Sequence, residues 1–263
     1  MDLKLKGKTA FISGSTQGIG YAIAQELLKE GVLVTINGRE PEKTRNAREK
    51  LLEEFPSAKI QAIAADFSKK EQVAQILPDL SDIDILINNV GIFETRSFEE
   101  ITDEDWYRFF EVNVMSSVRL CKKLLPNMLA KKWGRIIFIS SESGVNVPEN
   151  MIHYGMTKSA ISAISNGLSK LTKETQVTVN TILGGPTYTD GVAKVIRQIA
   201  KTQNSTIEKM KADIIQQTNP HILLQRFIKP SEIATLATYL ASPLALATNG
   251  ASIRADSGVL QVI

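Results

Sequence analysis

The feature that most constrains the fold is the repeated alternation of short apolar segments with longer amphipathic ones. Most of the short segments are continuously apolar, as expected for strands that are buried on both faces of a parallel sheet. The segments between them place apolar residues at helical spacing, which indicates helices that cross back over the sheet. The sequence therefore predicts an α/β fold, a doubly wound parallel sheet of about seven strands in three α/β/α layers. The predicted strands are Lys8–Ser13, Val32–Asn37, Ile60–Ala64, Ile83–Asn88, Arg135–Ser140, Val177–Leu183 and Ala251–Ala255.

Length and composition narrow the class of protein. The 263 residues suit one domain, residues 1–263, and 43% hydrophobic with 22% charged residues excludes an intrinsically disordered chain. The net charge of +3 is weak support for nucleic-acid binding. A single cysteine, Cys121, cannot form an internal disulfide and fits a reducing compartment. Because the sequence has neither a long apolar run nor a signal-peptide pattern, we expect a cytoplasmic protein without a membrane anchor.

The amphipathic stretches include Ile19–Glu30, Trp106–Ala130 and Ile152–Thr172, each predicted as a helix. Residues 187–228 break the alternation, because no strand signal occurs there and apolar spacing predicts two short helices. Ser231 is a candidate N-cap for the helix that follows. A long excursion at one end of a sheet is typical of a lid over a substrate site. A structural insertion or an oligomer contact is the alternative.

A glycine-rich turn follows the first predicted strand and leads directly into a helix. Glycine allows a tight turn and a close approach of the backbone to a phosphate. The helix N-terminus presents free N–H groups and partial positive charge to a pyrophosphate. Such a turn also has purely structural uses, but its place between strand and helix favours dinucleotide binding. The candidate cofactor residues here are Gly14, Ser15, Thr16, Gln17, Gly18, Ile19 and Gly20.

The end of the second predicted strand bears on the choice of cofactor. Sites for NAD usually carry an acidic residue there, which holds the ribose hydroxyls. Here Gly38 and Arg39 follow the strand, and a guanidinium can pair with the 2′-phosphate of NADP. This favours NADP(H), with NAD(H) not excluded. A solvated arginine that only stacks on adenine is the alternative, and Glu40 follows directly.

Candidate catalytic groups follow the fifth predicted strand. Ser141 comes first, and Tyr154 and Lys158 are spaced so that they share one face of a helix. Tyrosine is a poor base at neutral pH, but a nearby ammonium stabilises the phenolate and lowers its pKa. Tyr154 can then exchange a proton with a carbonyl or alcohol oxygen, while the Ser141 hydroxyl stabilises charge on that oxygen. Packing is the common role of such a tyrosine, so the order of the motifs along the chain is what favours catalysis.

Taken in order, these motifs resemble those of the short-chain dehydrogenase/reductase family over essentially the whole chain. Residues 13–20 are similar to its TGxxxGIG turn, with Ser13 in place of threonine. Residues 88–91 are similar to its NNAG motif, with Val90 in place of alanine. The segment that begins at Asp256 resembles the closing DGG motif, with one glycine lost.

The resemblance extends to the catalytic region. Ser141 lies 13 residues before Tyr154, the usual family spacing, which selects Ser141 over Ser140. Residues 184–189 resemble the PGxxxT segment that contacts nicotinamide, although Gly184 stands in place of proline. Residues 112–114, Val-Asn-Val, lie where the family has its catalytic asparagine.

The resemblance implies a Rossmann-like fold and an NADP(H)-dependent oxidoreductase, similar to 3-oxoacyl-carrier-protein reductases, that acts on a small carbonyl or secondary alcohol. It implies a catalytic tetrad of Asn113, Ser141, Tyr154 and Lys158. Lys158 would also hold the nicotinamide ribose, and Asn113 would hold a relay water. It further implies a homotetramer with the helices around Asn113 and Tyr154 in one interface. The other implied cofactor contacts are Asp66, the Phe67 backbone, Asn89, Val90, Gly91, Pro186, Thr187 and Thr189.

Two other functions stay open at this point. One is an NAD-linked alcohol or sugar dehydrogenase of the same family, and the other is a dinucleotide-sensing regulator without turnover. The histidines, His153 and His221, have no metal-ligand spacing, so no metal site is predicted. His153 is predicted to be a loop residue, with a substrate contact as the alternative. Glu142 either points away from the pocket or selects a polar substrate.

Overall fold

A computed structural model describes residues 1–261, and its seven strands form a single parallel sheet. The strand order is β3-β2-β1-β4-β5-β6-β7, so the direction of winding reverses between β1 and β4. The predicted fold class is thereby confirmed. The strands are Thr9–Ile12 (β1), Leu33–Gly38 (β2), Ile60–Ala64 (β3), Ile85–Asn88 (β4), Trp133–Ser141 (β5), Gln176–Gly184 (β6) and Ser252–Ala255 (β7).

Helices cover both faces of the sheet. On one face Ile23 of the first helix and Ile233 of the ninth pack in one buried cluster, and on the other face Leu120, Leu124 and Ile161 pack in a second. Burying a side chain of this size contributes about 1.5–3 kcal/mol, so the two layers fix the sheet from both sides. The helices are Gly18–Lys29 (α1), Pro41–Glu54 (α2), Lys70–Ile76 (α3), Asp103–Phe110 (α4), Ser116–Ala130 (α5), Ile152–Ser169 (α6), Asp190–Thr202 (α7), Ile207–Thr218 (α8) and Pro230–Ala241 (α9).

The predicted single helix over Trp106–Ala130 is wrong in detail. It starts earlier, because the Thr102 hydroxyl accepts a hydrogen bond from the Asp105 amide at 3.2 Å and so caps α4. A π-helical turn, Glu111–Met115, then separates α4 from α5. Such turns frequently occur at functional sites, and this one contains Asn113.

Residues 187–228 fold as the two predicted helices, α7 and α8. They bury a small apolar cluster of their own, which includes Ile196, Met210 and Phe227. The base of the segment is closed by an isolated parallel β-bridge between Thr187 and Ile228. The segment is therefore a unit with its own apolar cluster beyond the carboxyl end of β6, and it also contacts the main body at Gly18 and Ser257.

Ser231 is not the N-cap of α9, which corrects the sequence-based prediction. The cap is Lys229, whose amide donates to the Glu232 carboxylate at 2.7 Å. Pro230 occupies the first helical position, where its fixed φ and missing N–H are best tolerated. The helix therefore starts two residues earlier than a Ser231 cap would allow.

Candidate active site

The glycine turn after β1 leaves no room for a side chain at Gly20, where it lies closest to its neighbours. Gly14 and Gly18 have φ values of +63° and +61°, a left-handed conformation that favours glycine. A Cβ on Gly20 would lie 2.5 Å from the Asn89 side-chain nitrogen and 2.6 Å from the Gly14 oxygen. The turn thus brings α1 close to β1 and β4 and leaves backbone as its surface, which fits the approach of a pyrophosphate.

Two of the predicted contact residues, Ser15 and Asn89, brace this turn with their side chains. The Ser15 hydroxyl is fully buried and accepts a hydrogen bond from the Asn37 amide at 2.9 Å. The Asn89 side chain donates to the Gly14 oxygen at 2.8 Å. For Ser15, only the backbone is left for a cofactor, and the Asn89 amide group holds the turn in shape.

The N-terminus of α1 already has an anionic neighbour. The Gly18 amide donates to a carboxylate oxygen of Asp190, the first residue of α7, at 2.8 Å. Gln17 is the exposed N-cap and makes no side-chain capping bond, while Thr16 and Ile19 are half-buried. A carboxylate at a helix N-terminus is electrostatically favourable, so this position attracts negative charge.

The end of β2 has one exposed cationic side chain and no space for an acidic side chain at Gly38. A Cβ on Gly38 would lie 2.4 Å from the Thr16 methyl carbon and 2.5 Å from the Thr44 hydroxyl oxygen. Arg39 is exposed directly after it. Glu40 pairs with Lys43 at 2.7 Å, which offsets its charge.

The residues after β3 form an Asx turn. The Asp66 carboxylate accepts hydrogen bonds from the Ser68 amide at 2.9 Å and from its hydroxyl at 2.8 Å. Burial raises the pKa of Asp66, but these hydrogen bonds and the charge of Arg39 lower it below its ordinary value overall. The Phe67 side chain is buried in the core, so Phe67 presents only its backbone.

Ser141, Tyr154 and Lys158 converge at the carboxyl end of β5, as predicted. Ser141 ends β5, and its hydroxyl lies close enough to the Tyr154 phenol to lower the pKa of Tyr154. The Lys158 ammonium donates to the Ile139 carbonyl at 3.0 Å and lies 5.5 Å from the centre of the Tyr154 ring. The structure thus brings these three side chains together at one edge of the sheet.

The pKa values in this cluster differ from the prediction. Burial and the charge of Glu142 raise the pKa of Tyr154, although the hydrogen bond with Ser141 opposes them. Burial lowers the pKa of Lys158 to about 8, and Glu142 opposes that shift. The expected lowering of the Tyr154 pKa by Lys158 is absent here, and burial of the phenol is the largest cause of the raised pKa.

Asn113 is held rigidly in the π-helical turn. Its side chain donates to the Ile92 oxygen at 3.0 Å and to the Thr157 hydroxyl at 2.9 Å, and it accepts from the Ile92 amide at 2.8 Å. A Cβ on Gly91 would lie 3.4 Å from the Lys158 nitrogen and 3.7 Å from the Asn113 oxygen. Asn113 thus ties the Gly91 loop to α6 and keeps the surface next to Lys158 open.

The remaining predicted cofactor contacts lie around the base of the 187–228 segment. The Thr187 hydroxyl donates to the Gly185 oxygen at 2.8 Å, and the Pro186 oxygen accepts from the Ile228 amide at 2.8 Å. The Thr189 hydroxyl caps α7, and its side chain lies 3.5 Å from the position of a Cβ on Gly18. Val90 packs over the glycine turn, 3.1 Å from a Cβ position on Gly14.

His153 is not a loop residue, which corrects that prediction. It lies in α6 with its side chain fully buried, 4.0 Å from Phe109 and 6.1 Å from Trp106 between ring centroids. Neither ring nitrogen has a hydrogen-bond partner among residues 1–261. Burial lowers the pKa of His153.

Glu142 faces the catalytic groups, an orientation that sequence reasoning left open. Its carboxylate accepts hydrogen bonds from the Ser141 hydroxyl, from the Ser143 amide at 2.8 Å and from the Ser143 hydroxyl at 3.2 Å. Burial and the neighbouring Asp256 raise the pKa of Glu142. The position of Glu142 directly after Ser141 is the only feature of the sequence that points to this orientation.

The fold and these side chains define a Rossmann-fold oxidoreductase, in which a glycine turn and a Ser-Tyr-Lys cluster lie along the carboxyl edge of a doubly wound sheet. The model of short chain dehydrogenases matches residues 8–200, and the chain belongs to the short-chain dehydrogenase/reductase family. Within residues 1–261, none of the helices has the length and apolar character needed to cross a membrane.

Named relatives agree with this assignment. The chain is 42% identical to the uncharacterized oxidoreductase YvaG of Bacillus subtilis over 263 residues, covering 100% of both chains. It is 32% identical to D-beta-hydroxybutyrate dehydrogenase of Rhizobium meliloti, covering 95% of this chain and 98% of that one. The structure of L-sorbose reductase from Gluconobacter frateurii, complexed with NADPH and L-sorbose, matches with a TM-score of 0.93 at 29% identity, with 100% of both chains covered.

Proposed function

We propose that the chain is an NADP(H)-dependent oxidoreductase that interconverts a carbonyl compound and a secondary alcohol, with Tyr154 as general acid and base. The observation that carries the proposal is the cluster of Ser141, Tyr154 and Lys158 next to the open surface at Gly91. The similarity to an L-sorbose reductase that binds NADPH supports it.

Each side chain has a distinct task in this scheme. Tyr154 gives its phenolic proton to the substrate oxygen during reduction and removes it during oxidation. The Ser141 hydroxyl binds the same oxygen and stabilises its developing charge. Lys158, a buried cation beside the phenol, stabilises the phenolate and binds the nicotinamide ribose. Asn113 connects Lys158 to solvent through a relay water, and its main chain makes that contact because its side chain is used by Ile92 and Thr157.

The residues along the sheet edge suit a dinucleotide cofactor, because the glycine turn leaves exposed backbone where side chains would otherwise stand. When bound, the nicotinamide supplies or accepts the hydride, and its oxidised ring adds positive charge near the phenol. The turn amides would hold the pyrophosphate, and Asp66 with the Phe67 backbone would hold adenine. Arg39 would pair with a 2′-phosphate, because Gly38 leaves no space for the acid that binds a free 2′-hydroxyl.

The choice of cofactor is tested by titrating the protein with NADPH and NADH at matched ionic strength, followed by calorimetry. We expect NADPH to bind at least about tenfold more tightly, which corresponds to about 1.4 kcal/mol. Arg39→Ala should remove most of this difference, because it removes the cation facing the 2′-phosphate. Arg45→Ala, at an exposed position of α2, is the matched control. Equal or tighter binding of NADH by the wild type would favour an NAD-linked dehydrogenase.

The role of Tyr154 is tested by replacing it with phenylalanine. Turnover should fall by at least about 100-fold, because general acid catalysis is lost. Calorimetry should still detect cofactor binding, since the phenol is not needed for the glycine turn or for Arg39. Near-normal activity in Tyr154→Phe would refute the mechanism. If the wild type binds the cofactor but turns over no carbonyl compound, a dinucleotide sensor would be favoured instead.

We also propose that the protein is a cytoplasmic homotetramer and that residues 187–228 form a substrate lid. Exposed aromatic residues on α4, with Tyr107 at 74% and Phe110 at 42% exposure, support an oligomer contact next to the π-helical turn. The apolar cluster of residues 187–228 and the contact of Asp190 with the Gly18 amide at the glycine turn support a lid. Sedimentation velocity tests the tetramer.

A further inference from the structure

A carboxylate lies within the catalytic cluster, in a position that the proposed reaction does not explain. Glu142 begins a short 3-10 turn directly after β5, and three donors from Ser141 and Ser143 hold its side chain. Its charge acts on both Tyr154 and Lys158. Glu142 is therefore in position to contact whatever binds to Ser141 and Tyr154.

The hydrogen bond between Ser141 and Glu142 restricts what Ser141 can do. A serine hydroxyl has one proton to donate, and here that proton goes to the Glu142 carboxylate. A substrate carbonyl oxygen needs the same proton from Ser141. A substrate with a hydroxyl on the carbon next to its carbonyl resolves this conflict, because that hydroxyl donates to Glu142 and frees the proton of Ser141. The two oxygens of such a substrate lie about one hydrogen-bond length apart, like the two side-chain oxygens they would meet.

A cleft lies on the far end of the turn that begins at Glu142, and its lining is uncharged. The amides of Val145 and Asn146 donate to the Glu142 carbonyl oxygen at 2.8 and 3.0 Å, and both residues line a cleft of about 420 Å³ between this turn and the end of α8. Its polar lining includes Asn146, Asn219 and His221. Among its described lining residues there is no Lys, Arg, Asp or Glu. Side-chain amide groups bind hydroxyls well but carry no charge to pair with a carboxylate or phosphate.

A second carboxylate strengthens the selection against anions. Asp256 is buried close enough to raise the pKa of Glu142, and it is itself paired with Arg254 at 3.1 Å. The charge of Glu142 acts on Lys158, whose nitrogen lies 5.5 Å from the centre of the Tyr154 ring. A carboxylate on the substrate carbon next to the carbonyl would therefore meet the like charge of Glu142.

We propose that Glu142 binds the hydroxyl next to the reacting carbonyl, so that the substrates are neutral α-hydroxy ketones, with vicinal diols as the corresponding alcohols. This inference rests on the proposed reduction at Ser141 and Tyr154. It assigns Glu142, whose carboxylate accepts the Ser141 proton, as the specificity-determining residue.

The test compares hydroxyacetone with butanone, which has a methyl group in place of the hydroxyl, in NADPH-dependent reduction. For the wild type we expect kcat/KM to be about 10- to 100-fold higher for hydroxyacetone, the range expected of a hydrogen bond to a charged group. Glu142→Leu should reduce this ratio to near one, since leucine accepts no hydrogen bond. Glu142→Gln should keep part of it, because its amide oxygen still accepts, and should increase reduction of the anion acetoacetate. Glu149→Gln, at an exposed position nearby, should leave both unchanged.

The outcomes separate this inference from the proposed function. Equal reduction of both ketones by the wild type, or an unchanged ratio in Glu142→Leu, would overturn the role of Glu142 while leaving the reductase intact. No reduction of any ketone by a wild type that binds NADPH in calorimetry would overturn the proposed function itself. NADPH binding by each variant shows that it is folded.

Discussion

Replacing Lys158 with methionine should stabilise the unliganded protein at neutral pH while abolishing catalysis. Burial lowers the pKa of Lys158 to about 8, from 10.5 for an ordinary lysine. At about 1.4 kcal/mol for each pKa unit, keeping this ammonium charged costs the folded state about 3 kcal/mol. The variant also loses the hydrogen bond to the Ile139 carbonyl, and this loss offsets about 1 kcal/mol of the stabilisation. A net gain of about 2 kcal/mol should raise Tm by about 4–8 °C.

The pH dependence identifies the cause of this gain. Because the pKa of Lys158 is lower in the folded state, the unfolded chain binds more protons between pH 8 and 10.5. The wild type therefore recovers stability as the pH rises through this window. Lys158→Met has no such group, so its advantage should be complete at pH 7 and nearly gone at pH 10.5.

Thermal unfolding followed by circular dichroism measures both effects. Protein concentration must be held constant, since association changes the apparent Tm. Lys170→Met is the matched control, because Lys170 is exposed at the end of the same helical segment and its charge has no burial cost. A variant at Lys158 that is less stable than the wild type at pH 7, or a gain that does not change with pH, would refute the reasoning.

Two further variants test other features of the site. Asp190→Asn should bind NADPH about two- to fivefold more tightly at low ionic strength, because it removes an anion from the Gly18 amide at an exposed helix N-terminus. Asp213→Asn is the control. Unchanged NADPH affinity of Asp190→Asn in calorimetry would contradict this prediction. His153→Leu should be less sensitive to acid than the wild type, because a buried histidine with a lowered pKa reduces stability as the pH falls below about 6.5. Urea unfolding at pH 5.5 and 7.5 measures this, and equal losses in both proteins would contradict it.

The strands were predictable because burial on both faces imposes a continuous apolar pattern. Ile85–Asn88 and Trp133–Ser141 differ from the predicted segments by only a few residues at their ends. Their shared carboxyl edge follows from parallel pairing, so strand ends alone were enough to place Ser141 beside the residues that follow β4.

The break between α4 and α5 was not predictable in the same way. The apolar period over Trp106–Ala130 is continuous in sequence, whereas the π-helical turn inserts its extra residue to bring Asn113 onto Ile92 and Thr157. That requirement comes from tertiary contacts, which local periodicity does not contain. The burial of His153 has the same origin, since Phe109 and Trp106 cover it from another helix.

The residues that would select the ligand were the hardest to identify from the sequence, because their contacts join distant parts of the chain. Asp190 reaches the Gly18 amide across 172 residues of sequence. The cleft beside Glu142 is formed where the end of α8 meets the turn after β5. Neither contact follows a helical or strand period, because loops join these elements and their direction is set by packing. The reaction type therefore follows from the sheet edge, where the pattern is strong. The substrate depends on Glu142 and on residues 187–228, so direct comparison of hydroxylated with unsubstituted ketones is more informative about this protein than family membership.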